Sequence, residues 1–586
     1  MIDWHNEIVA TLIWLIQAWI LTTAGSIALA VVLKRYTLTG AHIGRLCSIA
    51  LAPIPVWKRW GIPSLLLFVI LMDVRLSVLL TFFYNSVYNA LQLLDKDAFI
   101  LAIWVFGIIL LLGVIVDMAD YYIREMLKLQ WRTHLNTFFL NQWLDDRSYY
   151  YLSFHTQGVD NPDQRIEHDI ALFCDKTIFF FQRMTRSFVS IVAYTVILWN
   201  LSAPLDLGFI SIPHGLVFIA YAYVFIATLA AIYWGNPLVP LNFLAEKFSA
   251  NYRYLLVRIK EYAQSIAFYR GENTEKESLQ KSFTQLIQCN VTIIQQTMKL
   301  LGINLFANQL ASIIGMLVQA PRFFAREISL GDIVQTGQGF THVQNALSFF
   351  RIFYDEFTAY RATLERLHGF FLTLTQLKRT PLSLHVNYQD RFYVTALTLH
   401  KPNGELLMDT LHEELKPSDA LLIKGASGSG KTTFLRALAG LWPYASGEIT
   451  LPEPQKALFL PQRLYLPHGS LRRALCYPHC EAAFSTDTIE AILAQCHLAH
   501  LIDHLDTVDD WAQMLSLGEQ QRLAFGQALL HKPMILFLDE ATSALDEAME
   551  HAMYTHIRAQ LPKAILISIG HRSTLEQYHT KIIHLS

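Results

Sequence analysis

Long apolar runs recur through residues 1–360 of the chain and are absent from the rest. Most of these runs have the ~20 residues that an α-helix needs to cross a hydrocarbon layer ~30 Å thick. Charged residues make up 16% of the chain, whereas they make up about 25% of a typical soluble domain. The sequence therefore predicts an α-helical transmembrane domain with spans near 8–33, 64–91, 99–123, 185–202, 215–235, 299–321 and 333–360.

Two of these spans carry unexpected polar residues. In the run 64–91, Asp73 and Arg75 lie where a charge costs roughly 2.5–3.5 kcal/mol, so we expect both side chains to face a cavity. Cargo contact, pairing with neighbours and a proton relay all remain open for them. The run 333–360 is polar for a span, which predicts either a helix lining a wet cavity or a misplaced boundary. Its polar residues are Gln335, Gln338, His342, Gln344 and Asn345.

The distribution of Lys and Arg predicts the orientation of the chain. Three long connections are rich in both residues, whereas the short connections 92–98 and 203–214 hold only Lys96 between them. The positive-inside rule therefore places the long connections in the cytoplasm and the N-terminal tail outside. The loop 322–332, with two Arg, is a mild exception. The long connections are 34–62, 124–183 and 236–298.

This pattern divides the 586 residues into three parts, because a chain of that length exceeds one core. Residues 1–62 form an extra N-terminal transmembrane helix and a cytoplasmic linker. Residues 63–375 form a six-helix transmembrane domain with long cytoplasmic arms. Residues 385–586 alternate short strands and helices without further spans.

Two of the long connections are predicted to be helical arms, each with an internal break. Pro162 interrupts the first arm, since proline cannot continue a helix. Gly271 interrupts the second, and Thr274 with Glu277 then predicts a capping box that restarts the helix. Each arm would reach about 40 Å below the membrane, far enough to touch a soluble domain. Simple connectors are the alternative.

A phosphate-binding loop lies between the apolar strand 420–423 and a helical pattern that begins at Phe434. Glycines let backbone N–H groups wrap around phosphates, and the following helix N-terminus adds positive potential. Lys431 is expected to reach the β- and γ-phosphates of ATP, and Thr432 to bind Mg²⁺. The predicted ATP-binding residues here are Gly425, Ser427, Gly428, Ser429, Gly430, Lys431, Thr432 and Thr433.

A second buried strand, 533–540, ends in two carboxylates. Asp539 is placed to bind Mg²⁺, and Glu540 to polarise the attacking water. A hydrophobic strand that ends in Asp-Glu is a weak signal alone. Downstream of a phosphate-binding loop it predicts an ATP hydrolase.

Four further motifs resemble those of the ABC transporter family. Leu515–Arg522 resembles the family signature and Phe459–Gln462 its Q-loop, while Ser543–Asp546 resembles the D-loop and Gly570–His571 the switch histidine. The resemblance implies an α/β P-loop ATPase of which two copies enclose two ATP molecules. Each ATP would lie between the phosphate-binding loop of one copy and the signature of the other. The partner is therefore expected to be a second copy of the chain, in a homodimer.

The same resemblance assigns further site residues. Gln462 and His571 are expected to join Glu540 in catalysis, with Gln462 also a Mg²⁺ ligand. Ser516, Gly518 and Glu519 are expected to bind ATP from the other copy.

Two positions depart from the family pattern. Leu517 stands where the signature has its first glycine, which predicts tuned rather than lost activity. No clear aromatic residue is present to stack on adenine. Phe392 or Tyr393 could serve, although a core position in the strand is expected for one of them.

Other segments resemble a subgroup that includes peroxisomal fatty-acyl-CoA half-transporters and bacterial relatives of the SbmA/BacA peptide and cobalamin uptake systems. The segments are 160–165, 265–272, 440–443 and 460–472. The resemblance covers about 63–586 and implies an exporter-type fold of six core helices plus the extra N-terminal one. It also assigns Asp160–Asp169 and Phe268–Glu275 as coupling elements that dock on the ATPase.

The leading hypothesis is ATP-driven uptake of large amphipathic or hydrophilic solutes, such as peptides, cobalamin-like compounds or acyl conjugates. Export of drugs, lipids or peptides is the alternative, as is an ATP-gated channel or regulator. The chain is expected in the bilayer of a bacterial inner membrane, with its ATPase in the cytoplasm. The net charge of −2 offers nothing to attract nucleic acid, and Cys476 and Cys480 are too weak a pattern for a metal site.

Overall fold

A computed structural model describes residues 4–154, 161–202, 205–206, 211–212, 214–377, 384–426 and 428–585. The chain divides into two compact units, Met1–Thr375 and Gln376–Ser586. The first is the membrane unit and the second the ATPase unit.

The described part of the membrane unit is almost entirely helical. Its helices are α1 (Trp4–Tyr36), α2 (Leu38–Leu51), α3 (Val56–Leu93), α4 (Lys96–Leu144), α5 (Ser148–Tyr151), α6 (Pro162–Gln164), α7 (Ile170–Leu201), α8 (Gly215–Gly235), α9 (Leu238–Glu261), α10 (Ala263–Tyr269), α11 (Glu272–Phe324), α12 (Leu330–Leu347) and α13 (Phe349–Leu377). A π-helical turn at Arg165–Asp169 joins α6 to α7, and two short antiparallel strands are β1 (Leu205–Asp206) and β2 (Ser211–Ile212).

Six helical stretches of the described chain are long and apolar enough to cross a membrane. They include the first six predicted spans. The stretches are Trp4–Tyr36, Val56–Leu93, Lys96–Phe154, Pro162–Leu201, Gly215–Glu261 and Glu272–Phe324.

The prediction of a seventh span as one helix over 333–360 is wrong, because the helix is interrupted at Ser348, between α12 and α13. Two of the polar residues of α12 have partners on other helices. Gln335 accepts a hydrogen bond from Asn85 of α3 at 2.9 Å, and Gln344 donates one to Asn308 of α11 at 2.8 Å. These partners satisfy polar groups that lipid could not.

The longest helices extend well beyond a bilayer. With 49 residues in α4 and 53 in α11, their lengths are about 73 and 80 Å. Asp95 begins α4 by accepting a hydrogen bond from the backbone N–H of Ala98, a helix cap. Both helices therefore have long segments outside the ~30 Å hydrocarbon layer.

Both predicted breaks occur in the structure. Arg270 has a positive φ of 53° and Gly271 separates α10 from α11, while Asn161 has a φ of 51° and Pro162 opens α6. The predicted capping box at Thr274 is wrong. Helix α11 already begins at Glu272, with Gly271 as its N-cap and no side-chain cap. Residues 155–160, with Asp160, lie outside the described residues.

The charged residues of α3 pair with other helices. Arg75 lies 3.2 Å from Glu7 and donates a hydrogen bond to Thr11 at 3.1 Å, both on α1. Asp73 forms a 3.0 Å ion pair with Arg186 of α7. The expectation that Arg75 faces a cavity is therefore wrong: it is buried and joins the extra helix to the core. Pairing also lowers the cost of charge in a membrane.

The ATPase unit contains two main sheets. One has five parallel strands in the order β13-β6-β12-β11-β8, and the other has four in the order β3-β7-β4-β5. The strands are β3 (Leu384–Tyr388), β4 (Phe392–His400), β5 (Leu406–Leu415), β6 (Ala420–Gly425), β7 (Ala445–Leu451), β8 (Ala457–Leu460), β9 (Gly469–Ser470), β10 (Val508–Asp509), β11 (Ile535–Asp539), β12 (Ile565–Ile569) and β13 (Lys581–Leu585).

Helices cover the parallel sheet. They are α14 (Lys431–Leu438), α15 (Leu471–Cys476), α16 (Thr486–Gln495), α17 (Trp511–Met514), α18 (Leu517–His531) and α19 (Glu547–Gln560). Strands buried on both faces have continuous apolar runs, as in β11, where Ile535–Leu538 are all fully buried. The register pairs Asp539 with Ile569 and Leu538 with Leu460, so the carboxyl ends of three strands meet at one edge.

Candidate active site

The phosphate-binding loop connects β6 to α14 at that edge. Gly428 and Gly430 have φ values of 84° and 87°, which glycine adopts without strain. A Cβ at Gly430 would also lie 2.8 Å from the Leu407 side chain. The loop therefore requires glycine for its shape and for its packing.

Side chains of the loop point to a binding role. Lys431 is buried and donates hydrogen bonds to the carbonyl oxygens of Gly425 and Ala426, at 3.0 and 2.7 Å. The buried Ser429 hydroxyl has no partner among the described residues. Backbone N–H groups in the first turn of α14, which holds Thr432 and Thr433, also lack helical partners. These donors suit phosphate oxygens. Ser427 lies outside the described residues.

The two carboxylates occupy adjacent positions with different surroundings. Asp539 ends β11 and accepts a 3.4 Å hydrogen bond from the Thr432 hydroxyl. Burial raises the pKa of Asp539, an effect that Thr432 opposes and the charge of Glu540 reinforces. Glu540 follows the strand directly and has a positive φ of 49°.

Glu540 is the centre of a three-residue cluster. Gln462 donates a hydrogen bond from Nε2 to Glu540 Oε2 at 3.0 Å, and His571 Nε2 lies 3.3 Å from Glu540 Oε1. The structure thus brings together the three residues for which the sequence predicts catalytic roles, although 109 positions separate Gln462 from His571.

The signature residues form a separate arrangement at the start of α18. The Ser516 hydroxyl accepts a hydrogen bond from the Glu519 backbone N–H, and Glu519 accepts one from the Ser516 backbone N–H at 2.9 Å, which together form a capping box. The Ser516 hydroxyl also donates to Glu519 at 2.7 Å. The Ser516 hydroxyl is the largest cause of a lowered Glu519 pKa. A Cβ at Gly518 would contact the Ala544 carbonyl oxygen at 3.4 Å. Within the described residues, no hydrogen bond joins Ser516 or Gly518 to the phosphate-binding loop.

Three residues that connect the loops of the candidate active site were not predicted from the sequence. Gln521 donates to the Ser543 hydroxyl at 3.1 Å and accepts from the Ala544 N–H at 2.9 Å, so it joins the signature helix to the D-loop segment. Glu550 and Arg572 connect that segment to the chain after His571. The available signal was a charged residue, Glu550, on the otherwise apolar face of α19.

The adenine-stacking candidates differ in exposure. Phe392 is 1% exposed and belongs to the core, whereas Tyr393 is 40% exposed on the opposite face of β4. Phe392 is therefore excluded as the residue that stacks on adenine. This agrees with the expectation that one of the two residues lies in the strand core. In the described ranges, no group of three or more His, Cys, Asp or Glu residues is placed to hold a metal.

Family comparisons agree with this architecture. The family described as ABC transporter transmembrane region 2 matches residues 46–324, and the ABC transporter family matches 408–543. A Haemophilus influenzae protein, an uncharacterized ABC transporter ATP-binding protein, is 37% identical over 100% of this chain and 98% of its own length. The D family member 2 ABC transporter of Arabidopsis thaliana, a chloroplastic protein, is 31% identical over 87% of this chain and 81% of its own.

A solved structure, a bacterial Atm1-family ABC exporter with ATP bound, has the same fold. Its TM-score is 0.69 at 18% identity, covering 91% of this chain and 94% of that one. Fold, site and relatives define an ATP-hydrolysing membrane transporter. The chain belongs to the ABC transporter family. Its relatives include D family members, so the predicted resemblance to the subgroup that contains the fatty-acyl-CoA half-transporters is confirmed. It is a half-transporter of the inner membrane that binds ATP in a cytoplasmic ATPase unit and couples its hydrolysis to transport.

Proposed function

We propose that two copies of this chain form a homodimer that uses Mg²⁺-ATP to move large hydrophilic or amphipathic solutes into the cell. Peptides, cobalamin-like compounds and acyl conjugates are the cargo classes. The observation that carries the role of ATP in this proposal is the cluster of Gln462, Glu540 and His571, which adjoins the phosphate-binding loop through the Thr432–Asp539 contact.

The donor set suits Mg²⁺ held together with ATP. Mg²⁺ prefers oxygen ligands and is usually held by one or two carboxylates plus substrate phosphates. Thr432 and Asp539 supply a hydroxyl and a carboxylate 3.4 Å apart, and Gln462 has an amide oxygen in addition to the nitrogen bonded to Glu540. When bound, the ion would neutralise charge on the phosphates.

Glu540 is proposed to accept a proton from the attacking water. A general base must lie within hydrogen-bond reach of that proton, and Glu540 follows directly on the Mg²⁺ carboxylate. His571, at 3.3 Å, and Gln462, at 3.0 Å, hold the two oxygens of Glu540 in one orientation. Lys431 would turn from the loop carbonyls to the β- and γ-phosphates.

The homodimer follows from the place of the signature. Ser516 and Gly518 make no hydrogen bond to the phosphate-binding loop within the described part of their own chain, and we propose that both bind ATP, as the family resemblance implies. A second copy would supply them. Each of two composite sites would then combine Lys431 of one copy with Ser516 of the other.

The membrane unit supports a polar cargo. A cavity of about 500 Å³ lies between the ends of α3 and α12, on the side that the short connection 92–98 predicts to be outside. Its polar lining includes Asn85, Asn89, Gln92, Ser329, Asp332 and Gln335. Amide and hydroxyl groups favour a solute that forms hydrogen bonds.

Transport in vesicles tests direction and cargo together. The chain would be reconstituted with all ATPase units facing the bath, and ATP added there. The panel would comprise a labelled peptide, a cobalamin-like compound, an acyl-CoA and a lipophilic dye. Loss of pre-loaded peptide from the lumen to the bath would be uptake, and accumulation in the lumen would be export. The Glu540→Gln chain controls for leakage.

Accumulation of any cargo in the lumen would overturn uptake in favour of the exporter alternative. Ion conductance without turnover would indicate a channel.

Mixed dimers test the composite site. Chains with Lys431→Ala and Ser516→Ala would carry different tags, so that dimers holding one of each can be purified. Both lesions then fall on one composite site and leave the other intact, whereas each mutant homodimer has two damaged sites. We expect nucleotide retention at one site per mixed dimer. Retention no greater than in the two homodimers would contradict the shared-site architecture.

A further inference from the structure

We propose that Glu550 is a positioning residue for ATP hydrolysis, setting the separation between the two loops that carry Glu540 and His571. It would act through those loops without touching nucleotide. The inference deepens the function proposed above and rests on the assigned role of Glu540.

Glu550 is a buried carboxylate on the apolar face of a helix. It is 1% exposed, in the first turn of α19, and shares its face with Met553, Tyr554 and Ile557. A carboxylate is costly to bury unless hydrogen bonds and an opposite charge compensate it. Its contacts therefore indicate what this position is for.

The contacts of Glu550 reach both catalytic loops. Oε2 accepts a 2.8 Å hydrogen bond from Thr542, which lies two residues after Glu540. Oε1 accepts a 2.6 Å hydrogen bond from Thr574, three residues after His571, and Arg572 lies 3.4 Å from Oε2. One carboxylate thus joins the segment after the general base to the segment after the switch histidine.

Arg572 extends this connection to the D-loop segment 543–546. Its guanidinium donates to the carbonyl oxygens of Leu545, at 2.8 Å, and Ser543, at 3.4 Å. Without Glu550, the guanidinium would lose its carboxylate and both hydroxyls their acceptor. The three groups would then no longer define one arrangement of the two loops.

The reaction is sensitive to that arrangement. His571 Nε2 lies 3.3 Å from Glu540 Oε1, and Glu540 has a positive φ, which residues other than glycine rarely adopt. A displacement of ~1 Å in a catalytic constellation costs roughly 100-fold in rate. Glu550 buttresses Glu540 through Thr542, and His571 through Thr574 and Arg572.

The test uses full-length chains in lipid vesicles, measured for ATP hydrolysis and nucleotide binding. For Glu550→Ala, kcat is expected to fall at least about tenfold, while the KM for ATP changes less than about threefold. Glu550→Gln retains one acceptor oxygen and the shape, so its kcat is expected to lie between those of Glu550→Ala and the parent.

Two further variants separate positioning from folding. Met553→Ala removes a buried side chain from the same face of α19 and is expected to leave kcat per folded chain unchanged. Thr574→Val keeps the carboxylate and removes one bond, so it serves where Glu550→Ala does not fold, with an expected kcat loss of about threefold. An equal kcat for parent and Thr574→Val, or for Glu550→Ala and Met553→Ala, would overturn the proposal.

Glu540→Gln in parallel keeps the two proposals apart. Near-normal hydrolysis by Glu540→Gln would refute the general base, and positioning with it. Loss of hydrolysis by Glu540→Gln with normal kcat in Glu550→Ala would refute positioning alone.

Discussion

The polar side chains of the candidate active site converge on one edge of a sheet, whereas several polar pairs of the membrane unit each join two helices. At the sheet edge, Gln462 and His571 both contact Glu540. In the membrane unit, Arg75 pairs with Glu7 and stays apart from the Gln344–Asn308 pair. Convergent groups can cooperate in one reaction, while separate pairs fix the positions of their helices. Substituting a convergent group should therefore lower the rate of ATP hydrolysis, whereas substituting a paired group should lower the stability of the protein.

The largest effect should come from Glu540→Gln. The substitution keeps shape and removes the base, so kcat should fall about 10²- to 10⁴-fold. Because this side chain is partly exposed and its neighbours remain paired, unfolding temperature should hardly change. Steady-state hydrolysis and ATP binding of the purified chain would measure both. A stability loss equal to that of a membrane-unit variant would break the distinction between the two units.

Asp169→Asn should show the opposite behaviour. This carboxylate is 0% exposed and bonds Arg366 of α13 at 2.9 and 3.1 Å, as well as Arg165 at 2.9 Å. The Arg165 side chain is 11% exposed and that of Arg366 is 40% exposed, so solvent screening keeps the expected loss of stability below the ~3–5 kcal/mol of a fully buried ion pair. Denaturation in detergent would measure the loss.

Arg361→Gln is the matched control, since its pair with Glu365 is exposed and is worth under about 0.5 kcal/mol. Equal losses in the two variants would contradict the role of burial.

Gly331→Ala tests close packing at the outer end of α12. A Cβ there would lie 2.3 Å from the Asn85 backbone oxygen, so the helices must separate at a cost of ~1–3 kcal/mol. Gly113→Ala in α4 is the control, because nothing lies within 4 Å of its Cβ and alanine favours helix by about 1 kcal/mol. Thermal unfolding should shift down for the first and not for the second. A shift of the same sign in both would refute the contact between α3 and α12.

The smallest effect should come from Leu517→Gly, which restores the family residue in the signature. Leu517 is 53% exposed at the start of α18, where a second copy would approach. Removing its side chain permits closer approach, so kcat should rise by less than about tenfold. Steady-state hydrolysis measures the change. A collapse of activity would show that Leu517 itself contacts the nucleotide or the partner.

The sequence predicted local features better than contacts between distant segments. The strand–loop–helix at 420–438 follows from local chemistry, and parallel strands necessarily bring their carboxyl ends to one edge. The break at Ser348 has no nearby proline or glycine, so the run 333–360 was predicted as one helix. Partners far along the chain decided the rest. Arg75 pairs with Glu7, 68 positions away, and Glu550 uses groups on two separate loops.

The predicted capping box at Thr274 failed for a related reason. Its spacing was correct for a cap, but α11 begins at Glu272, one residue after Gly271. The sharp turn at Arg270 and Gly271 had already set where the helix starts. A local pattern is therefore outweighed when the preceding backbone conformation fixes the first turn.

The Ser516 hydroxyl has a single hydrogen, and Glu519 already holds it at 2.7 Å. A γ-phosphate oxygen delivered by a second copy would need that same hydrogen. Glu519 would not be stranded by the exchange, because it also accepts from the Ser516 backbone N–H at 2.9 Å and lies 3.1 Å from His500. Rotation of one hydroxyl would then swap an intrachain acceptor for an interchain one. Closure of the dimer would thereby change the hydrogen bonding of the first turn of α18 while keeping almost all of its hydrogen bonds.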